Sequence, residues 1–190
     1  MNKNVKTANP MKVITDPDTR WSYANVWEPK SINGGAQKYS VSLIIPKSDT
    51  KTVAKIEAAI KAAYKEGEGK LKGNGKSVPA LSILKTPMRD GDLERPDDPA
   101  YANTYFVNAN ATSAPGIVDA DRNPILTRSD VYSGVFGRAS ISFYAFNSSG
   151  NKGIACGLNN LQKLHDGESL GGKISAESDL ATDTEEDFLN

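Results

Sequence analysis

The chain has 190 residues, with 23 lysine and arginine residues and 23 aspartate and glutamate residues, so its formal net charge is zero. A hydrophobic content of 38% is ordinary for one globular domain with its own core. No apolar run approaches the ~20 residues that are needed to cross a bilayer, which excludes a membrane-spanning helix. The single cysteine, Cys156, excludes an internal disulfide and a cysteine-based zinc site.

The charges are unevenly distributed along the chain. Residues 174–190 carry six acidic residues and no basic one, so residues 1–173 combine 23 basic with 17 acidic residues, a net charge of +6. An acidic terminal segment repels phosphate and competes with it for basic groups, and one aromatic residue can anchor it on a partner protein. The pattern predicts a nucleic-acid binder that recruits proteins, the alternative being a solubilising disordered tail. The predicted partner-binding residues are Glu185, Glu186, Asp187 and Phe188.

The chain begins with a polar segment and a predicted hairpin. Residues 1–19 lack the apolar stretch of a secretory signal, so we expect them to be flexible and the protein to stay where it is made. Aromatic residues crowded between positions 20 and 27 predict a first strand that ends at Pro29. Apolar residues alternate with serines from Tyr39 to Ile45, which predicts a second strand paired with the first.

One amphipathic helix is predicted after the hairpin. Apolar residues fall three or four positions apart between Thr50 and Glu66, with Asp49 suited to the N-cap and Gly67 to the end of the helix. Residues 67–76 are rich in glycine and lysine, which predicts a mobile basic loop.

The second half of the chain alternates short strands with turns. Residues 86–100 contain three prolines and several acids, which predicts an irregular connection. Gly134 and Gly137 predict a bulge or bend in a long strand. Strands are predicted at residues 78–84, 104–110, 116–118, 131–146 and 153–161. Together the elements predict a small, mainly β barrel with one helix over residues 20–164, after a flexible segment (1–19) and before a disordered acidic tail (165–190).

Aromatic and basic residues are neighbours at several points along the predicted strands. Single-stranded nucleic acid requires this mixture, because bases stack on flat rings at ~1–3 kcal/mol each while cations follow the phosphates. The alternative for any single ring is a place in the core, which the turn residues beside Trp27 and Tyr132 disfavour. The predicted DNA-binding residues are Trp27, Lys38, Tyr39, Lys70, Lys72, Lys76, Arg89, Tyr132 and Arg138.

Two motifs suggest catalytic chemistry, and neither is complete. Residues 70–77 resemble a phosphate-binding loop, but lysine occupies the first glycine position and the strand–loop–helix order is missing. Residues 90–98 concentrate five carboxylates, yet they lack the glycine and the glutamate of an EF-hand loop. We interpret them as a turn whose acids pair with Arg89 and Arg95. His165 has no nucleophile near it in the sequence, so we predict no enzymatic activity, cofactor or metal site.

Several segments, taken in order, resemble a bacteriophage and prophage family that was long catalogued as of unknown function and whose members are OB-fold single-stranded DNA-binding proteins. The segments are Tyr23–Pro29, Tyr39–Lys47, Arg89–Asp92, Tyr132–Gly134 and Cys156–Asn160. The resemblance implies a five-stranded OB-fold barrel that coats single strands during replication or recombination in the cytoplasm of the infected bacterium. It also implies that the acidic tail recruits phage or host replication and recombination proteins.

The chain departs from this pattern in two places. Bacterial tails of this kind end in Pro-Phe, whereas here Phe188 is followed by Leu189 and Asn190. The predicted helix also follows the second strand, earlier than in the usual OB order. Two other functions remain open: a phage structural or assembly protein, and a metal-dependent nuclease based on residues 90–98.

Overall fold

The hydrophobic alternation of the sequence produces a strand-rich fold in the computed structural model, which describes residues 8–31 and 34–171. The strands are β1 (Lys12–Ile14), β2 (Arg20–Ser31), β3 (Gln37–Pro46), β4 (Met88–Asp90), β5 (Thr104–Ala111), β6 (Gly116–Val118), β7 (Phe136–Ser148) and β8 (Asn151–His165). The helices are α1 (Thr50–Glu66), α2 (Glu68–Lys72) and α3 (Gly91–Glu94).

Five of the strands close into a ring. The order around the ring is β2, β3, β5, β8 and β7, and β7 returns to β2 through the pair Arg20 and Phe136. The β5–β8 contact is parallel at Asn110 and Gly157, and the other contacts in the ring are antiparallel. Strands β1, β4 and β6 extend the sheet by pairing with β7, β5 and β8. This ring confirms the predicted five-stranded, OB-fold-like barrel.

Helix α1 packs on the barrel, mainly against β7 and β1. Its buried face includes Ile56, Ile60 and Ala63, which belong to the same core as the inward residues of the strands. The Asp49 side chain accepts a hydrogen bond from the backbone N–H of Thr52, and the helix ends at Gly67, so both predicted boundaries are confirmed. Within the described residues, no helix is long and apolar enough to span a bilayer.

The prediction of a basic loop at residues 67–76 is wrong for its first half, because Glu68–Lys72 form helix α2. The only apolar side chain of that helix, Leu71, is fully buried in the core. The backbone carbonyl of Lys70 accepts a hydrogen bond from Asn147 Nδ2 (3.0 Å), which ties α2 to β7. Glu68 in the first turn and the lysines in the last turn interact favourably with the helix dipole. Leu71 is the only hydrophobic anchor of this otherwise polar helix.

Other predicted elements differ in position. Residues 81–83 form a 3-10 turn instead of a strand, and β4 pairs with β5 inside the region expected to be irregular. The last long hairpin is as expected, but β7 begins at Phe136, after a bend at Gly134, where φ is +124°.

The ordered chain extends beyond the predicted limits of 20 and 164 at both ends. Strand β1 pairs with β7 through its backbone, and its Val13 is buried in the core of the barrel. After β8 the chain folds back, so that Arg20 Nη2 donates to the Glu168 carbonyl (2.6 Å) and Leu170 N donates to the Ser133 carbonyl (2.8 Å). The rest of the predicted disordered tail, residues 172–190, lies outside the described residues.

We expect Leu71→Ala to lower the free energy of unfolding by about 2–5 kcal/mol, because it opens a cavity in the core. Leu126→Ala is the matched control, since Leu126 is 87% exposed and its loss should change stability by less than about 0.5 kcal/mol. Urea denaturation of both variants measures the difference. Equal stabilities of the two variants would show that α2 does not pack on the barrel.

Candidate functional site

A groove of about 780 Å³ crosses the outer face of β2, β3 and β5. Its floor consists of small polar side chains, because Ser40 lies opposite Asn110 and Ser42 lies opposite Asn108 in the register of β3 and β5. The alternate residues of β3, among them Leu43 and the other core residues, point into the barrel. The floor therefore offers hydrogen-bonding groups without bulky side chains that would fill the groove.

Tyr23 lines this groove and is 55% exposed, which is unusual for a large aromatic residue of a strand. The pairing of β2 with β3 shifts register between Ser22 and Asn25, so that Tyr23 lies in a bulge. Its φ of +45° is a strained conformation for a non-glycine residue, at a typical cost of about 1–3 kcal/mol. The Ser133 hydroxyl accepts a hydrogen bond from Ala24 N (3.0 Å), which supports the bulge from β7's side. Such strain is concentrated at functional sites.

Arg95 connects Tyr23 to a small cluster of buried rings that is separate from the barrel core. Its guanidinium carbon lies 5.4 Å from the ring centroid of Tyr23, 5.5 Å from that of Tyr101 and 5.6 Å from that of Phe106. Tyr101 and Phe106 are buried and meet edge to face, and Tyr101 donates its hydroxyl hydrogen to Ser42 Oγ (3.0 Å). Arg95 has no carboxylate partner among the described residues. A permanently charged group therefore lies against an exposed ring at the edge of the groove.

Two lysines add positive charge at the hairpin end of the groove. Lys30 and Lys38 are direct cross-strand partners, and both are exposed and line the groove. Like charges placed opposite each other on a sheet destabilise it. Neither lysine forms an ion pair within residues 8–31 and 34–171. An anion between them would relieve the repulsion.

The acidic stretch at residues 90–98 is engaged by the protein itself. Lys47 Nζ lies 2.9 Å from Asp90 Oδ1 and 2.8 Å from Asp92 Oδ2. The hydrogen bond from Lys47, and then that from the backbone N–H of Asn103, lowers the pKa of Asp92 below its usual value. The predicted pairing of Arg89 with an acid is confirmed, because its Nη1 lies 3.0 Å from Glu94 Oε2. The acidic partner predicted for Arg95 is wrong, because its guanidinium packs on aromatic rings instead. In the part of the chain that the structure describes, no three acidic, histidine or cysteine side chains are grouped as metal ligands.

Of the aromatic residues predicted to bind DNA, none lines the groove. Trp27 is half-buried against the core and donates from Nε1 to the Val131 carbonyl (3.3 Å). Tyr132 is also half-buried, and its hydroxyl donates to the Gly167 carbonyl (2.9 Å). Tyr39 follows Lys38 on β3, and successive residues of a strand point to opposite faces. Of the residues predicted to bind DNA, Lys38 is the one that lines the groove.

The other predicted basic residues lie elsewhere on the barrel. Arg138 is exposed on β7, where it donates from Nε to the Thr15 carbonyl (3.3 Å) and lines a separate hollow. Arg89 is exposed on β4. Lys70, Lys72 and Lys76 are exposed on α2 and the loop after it. The predicted partner-binding residues Glu185, Glu186, Asp187 and Phe188 lie outside the described residues.

The sequence reasoning missed the residues that define the groove, chiefly Tyr23 and Arg95. The bulge that exposes Tyr23 depends on the pairing register of two strands, which the residues around Tyr23 do not show. The rings around Arg95 come from positions 23, 101 and 106, so no local motif connects them. Serine on β3 and asparagine on β5, at alternate positions, did carry a signal, because small polar residues on one strand face predict an open surface.

The barrel and its groove define an OB-fold protein with an open, basic surface that has an aromatic ring at its edge. A family model described as "Enterobacter phage Enc34, ssDNA-binding protein" matches residues 11–189. The chain belongs to this family.

Relatives of known sequence or structure agree with this assignment. A protein of Acyrthosiphon pisum secondary endosymbiont phage 1, p50, is 31% identical over 184 residues, which cover 90% of this chain and 96% of that protein. The single-stranded DNA-binding protein from bacteriophage Enc34, solved in complex with ssDNA, matches with a TM-score of 0.66 and 24% identity, over 85% of this chain and 90% of that one. The single-stranded DNA-binding protein gp2.5 of bacteriophage T7 matches with a TM-score of 0.59 and 17% identity, over 93% of this chain and 96% of that one. At these identities, the structural matches establish the shared fold.

Proposed function

We propose that this protein binds single-stranded DNA, without reading its sequence, in the groove across β2, β3 and β5. The observation that carries the proposal is the exposed ring of Tyr23, held against Arg95 over a floor of small polar side chains. An exposed ring stacks on any base, and an adjacent guanidinium contacts the backbone phosphate. Membership of a family described by ssDNA binding supports this function independently of the geometry.

The groove suits an unpaired strand better than a duplex. Stacking on Tyr23 requires a base whose face is free, and the faces of duplex bases are covered by their neighbours. The serine and asparagine side chains of the floor donate and accept hydrogen bonds, so they tolerate each of the four bases. The proposed contacts are therefore base stacking on the Tyr23 ring and ion pairs between basic side chains and phosphates. Neither kind of contact selects a sequence.

Unpaired positive charges line the groove within the described residues. Lys30, Lys38 and Arg95 line the groove without carboxylate partners in the described ranges, and residues 1–173 carry a net charge of +6. The other predicted DNA-binding residues remain proposed contacts for a longer strand that leaves the groove: Trp27, Tyr39, Lys70, Lys72, Lys76, Arg89, Tyr132 and Arg138.

The proposed role is protection of single strands during phage DNA replication or recombination, in the cytoplasm of the infected host, without catalysis. The pairing of Asp90 and Asp92 with Lys47 supports this choice over a nuclease, because these carboxylates already have a cationic partner. The solved structures that match are named for DNA binding and not for a catalytic activity. The tail is proposed to recruit phage or host replication and recombination proteins through Phe188.

A gel shift with single-stranded and duplex oligonucleotides, with and without Mg²⁺, tests the function. We expect binding to single strands of any sequence, weaker binding to duplex, and intact DNA in every lane. The slope of log K against log salt should be roughly −0.7 per phosphate contacted. Cleavage that requires Mg²⁺ would indicate the nuclease instead, and absence of DNA binding would favour a structural or assembly protein.

Tyr23→Ala should weaken binding to single-stranded DNA by about 1–3 kcal/mol, because it removes the stacking ring. Tyr23→Phe is the matched control and should retain most of the affinity. Fluorescence anisotropy at one salt concentration, together with thermal melting, separates binding from folding. Wild-type affinity in a folded Tyr23→Ala protein would contradict the proposed location of the site.

Removing residues 174–190 should tighten DNA binding several-fold at low salt, because it deletes six negative charges that compete with phosphate. High salt should abolish the difference. Phe188→Ala keeps the charges, so DNA affinity should change little while the interaction with a partner protein is lost. Anisotropy titrations of the three proteins at two salt concentrations measure this. Weaker binding after truncation would mean that the tail is part of the DNA site or of the fold.

A further inference from the structure

A second hollow, of about 370 Å³, adjoins the groove. Lys38 and Asn110 line both depressions, so the two share a border at the point where β5 meets β8. Beyond that border the second hollow is lined by Tyr144 of β7 together with Gly157 and Asn159 of β8. The surface that starts at Tyr23 therefore continues around the barrel.

Tyr144 is the second strand aromatic with an exposed ring. It is 45% exposed, whereas its neighbours Phe143 and Ala145 are buried in the core, as strand alternation requires. It makes no aromatic or cation–π pair with any described residue. The ring of Tyr144 is therefore not part of the hydrophobic core.

Gly157 of β8 lies beside that ring. A Cβ atom added at Gly157 would lie 3.7 Å from Tyr144 Cε1 and 4.0 Å from the Asn110 carbonyl oxygen, which is ordinary contact distance. The glycine thus leaves space beside the ring and on the border with the first groove. One edge of Tyr144 lies beside β8, and 45% of the residue is exposed, which leaves ring surface for a flat ligand.

Asn159 supplies a fixed polar group in the same hollow. Its Nδ2 donates to Ser142 Oγ (2.9 Å) and to Ser140 Oγ (3.4 Å), which orients the side chain. Its Oδ1 is an acceptor that can receive a hydrogen bond from a base. The hollow combines an unused ring, an oriented amide and a shared lysine, the same kinds of groups that line the first groove.

We propose that this hollow is a second base-stacking subsite for the strand that occupies the groove, with Tyr144 as its stacking ring. The proposal rests on the proposed function. Lys38 at the border contacts the phosphate between the two subsites. From β2 through β3, β5 and β8 to β7 there are four inter-strand steps of about 4.8 Å, a path on the order of 19 Å. A strand must therefore exceed a minimum length to contact both Tyr23 and Tyr144.

The test compares oligothymidines of about 4 and about 12 nucleotides, which span the range of site sizes of OB folds. Tyr144→Ala should weaken binding of the long oligonucleotide by roughly 5- to 100-fold, and should leave the short one unchanged because it occupies the groove at Tyr23. Tyr144→Phe should bind both as the wild type does. Leu126→Ala, which removes another exposed apolar side chain, is the control that should change neither affinity.

The outcomes separate this proposal from the function on which it rests. If Tyr144→Ala leaves the affinity for the long oligonucleotide intact, or weakens both lengths equally, the second subsite is refuted. If the wild type binds neither length, the proposed function itself fails. Photocrosslinking of wild-type protein to a 12-mer that contains 5-iodouracil gives a readout without substitution. A crosslink at Tyr144 with the long oligonucleotide and not with the 4-mer supports the subsite, and a crosslink at Tyr23 alone refutes it.

Discussion

Closure of the barrel between β2 and β7 is the contact on which the rest of the structure depends. Trp21 is fully buried at this seam and donates from its indole Nε1 to the Gly137 carbonyl (3.2 Å). Gly137 has no side chain, and a Cβ atom there would overlap the Gln162 carbonyl oxygen of β8 and lie 2.9 Å from Trp21 Cζ2. The glycine and the tryptophan therefore allow β7 to reach β2. Without this closure the sheet would lose the curvature that forms the groove.

The same seam supports the strained segment that carries Tyr23. Gly134 N donates to the Trp21 carbonyl (2.7 Å), and Ser133 Oγ accepts from Ala24 N (3.0 Å), so hydrogen bonds to β7's entry segment lie on both sides of Tyr23. A bulge with a positive φ persists only where its surroundings hold it in place. The strained bulge thus lowers local stability and exposes one ring, and the guanidinium of Arg95 packs against that ring. Preorganisation of this kind reduces the entropy lost when a flexible strand binds.

The basic side chains of the groove have no acidic partners among the described residues. Among the acids of residues 90–98, Asp90 and Asp92 are paired with Lys47, and Glu94 is paired with Arg89. These pairs are partly exposed and contribute little stability. Their consequence is electrostatic, because carboxylates that are already paired compete less for Arg95. The cations of the groove remain available to the phosphates of a ligand.

The sequence predicted the elements whose signal is local, and it missed those that depend on pairing. Helix α1 was predicted to its last residue, because Asp49 and Gly67 mark its ends and its apolar face repeats every three or four residues. Helix α2 was missed, because Leu71 alone anchors it. Lys38 was predicted because it neighbours an aromatic residue, and the structure places it in the groove, whereas the exposure of Tyr23 requires the register of β2 against β3. The exposure of Tyr144 was accessible from its alternation with serines.

The most direct test of the central claim is to titrate isotope-labelled protein with an oligothymidine and follow its backbone amide resonances by NMR. If single strands occupy the groove, the largest shifts should cluster at Tyr23, Ser42, Asn108 and Arg95, and the buried face of α1 should be unchanged. Shifts confined to the separate hollow that Arg138 and Lys55 line, with none in the groove, would contradict this claim.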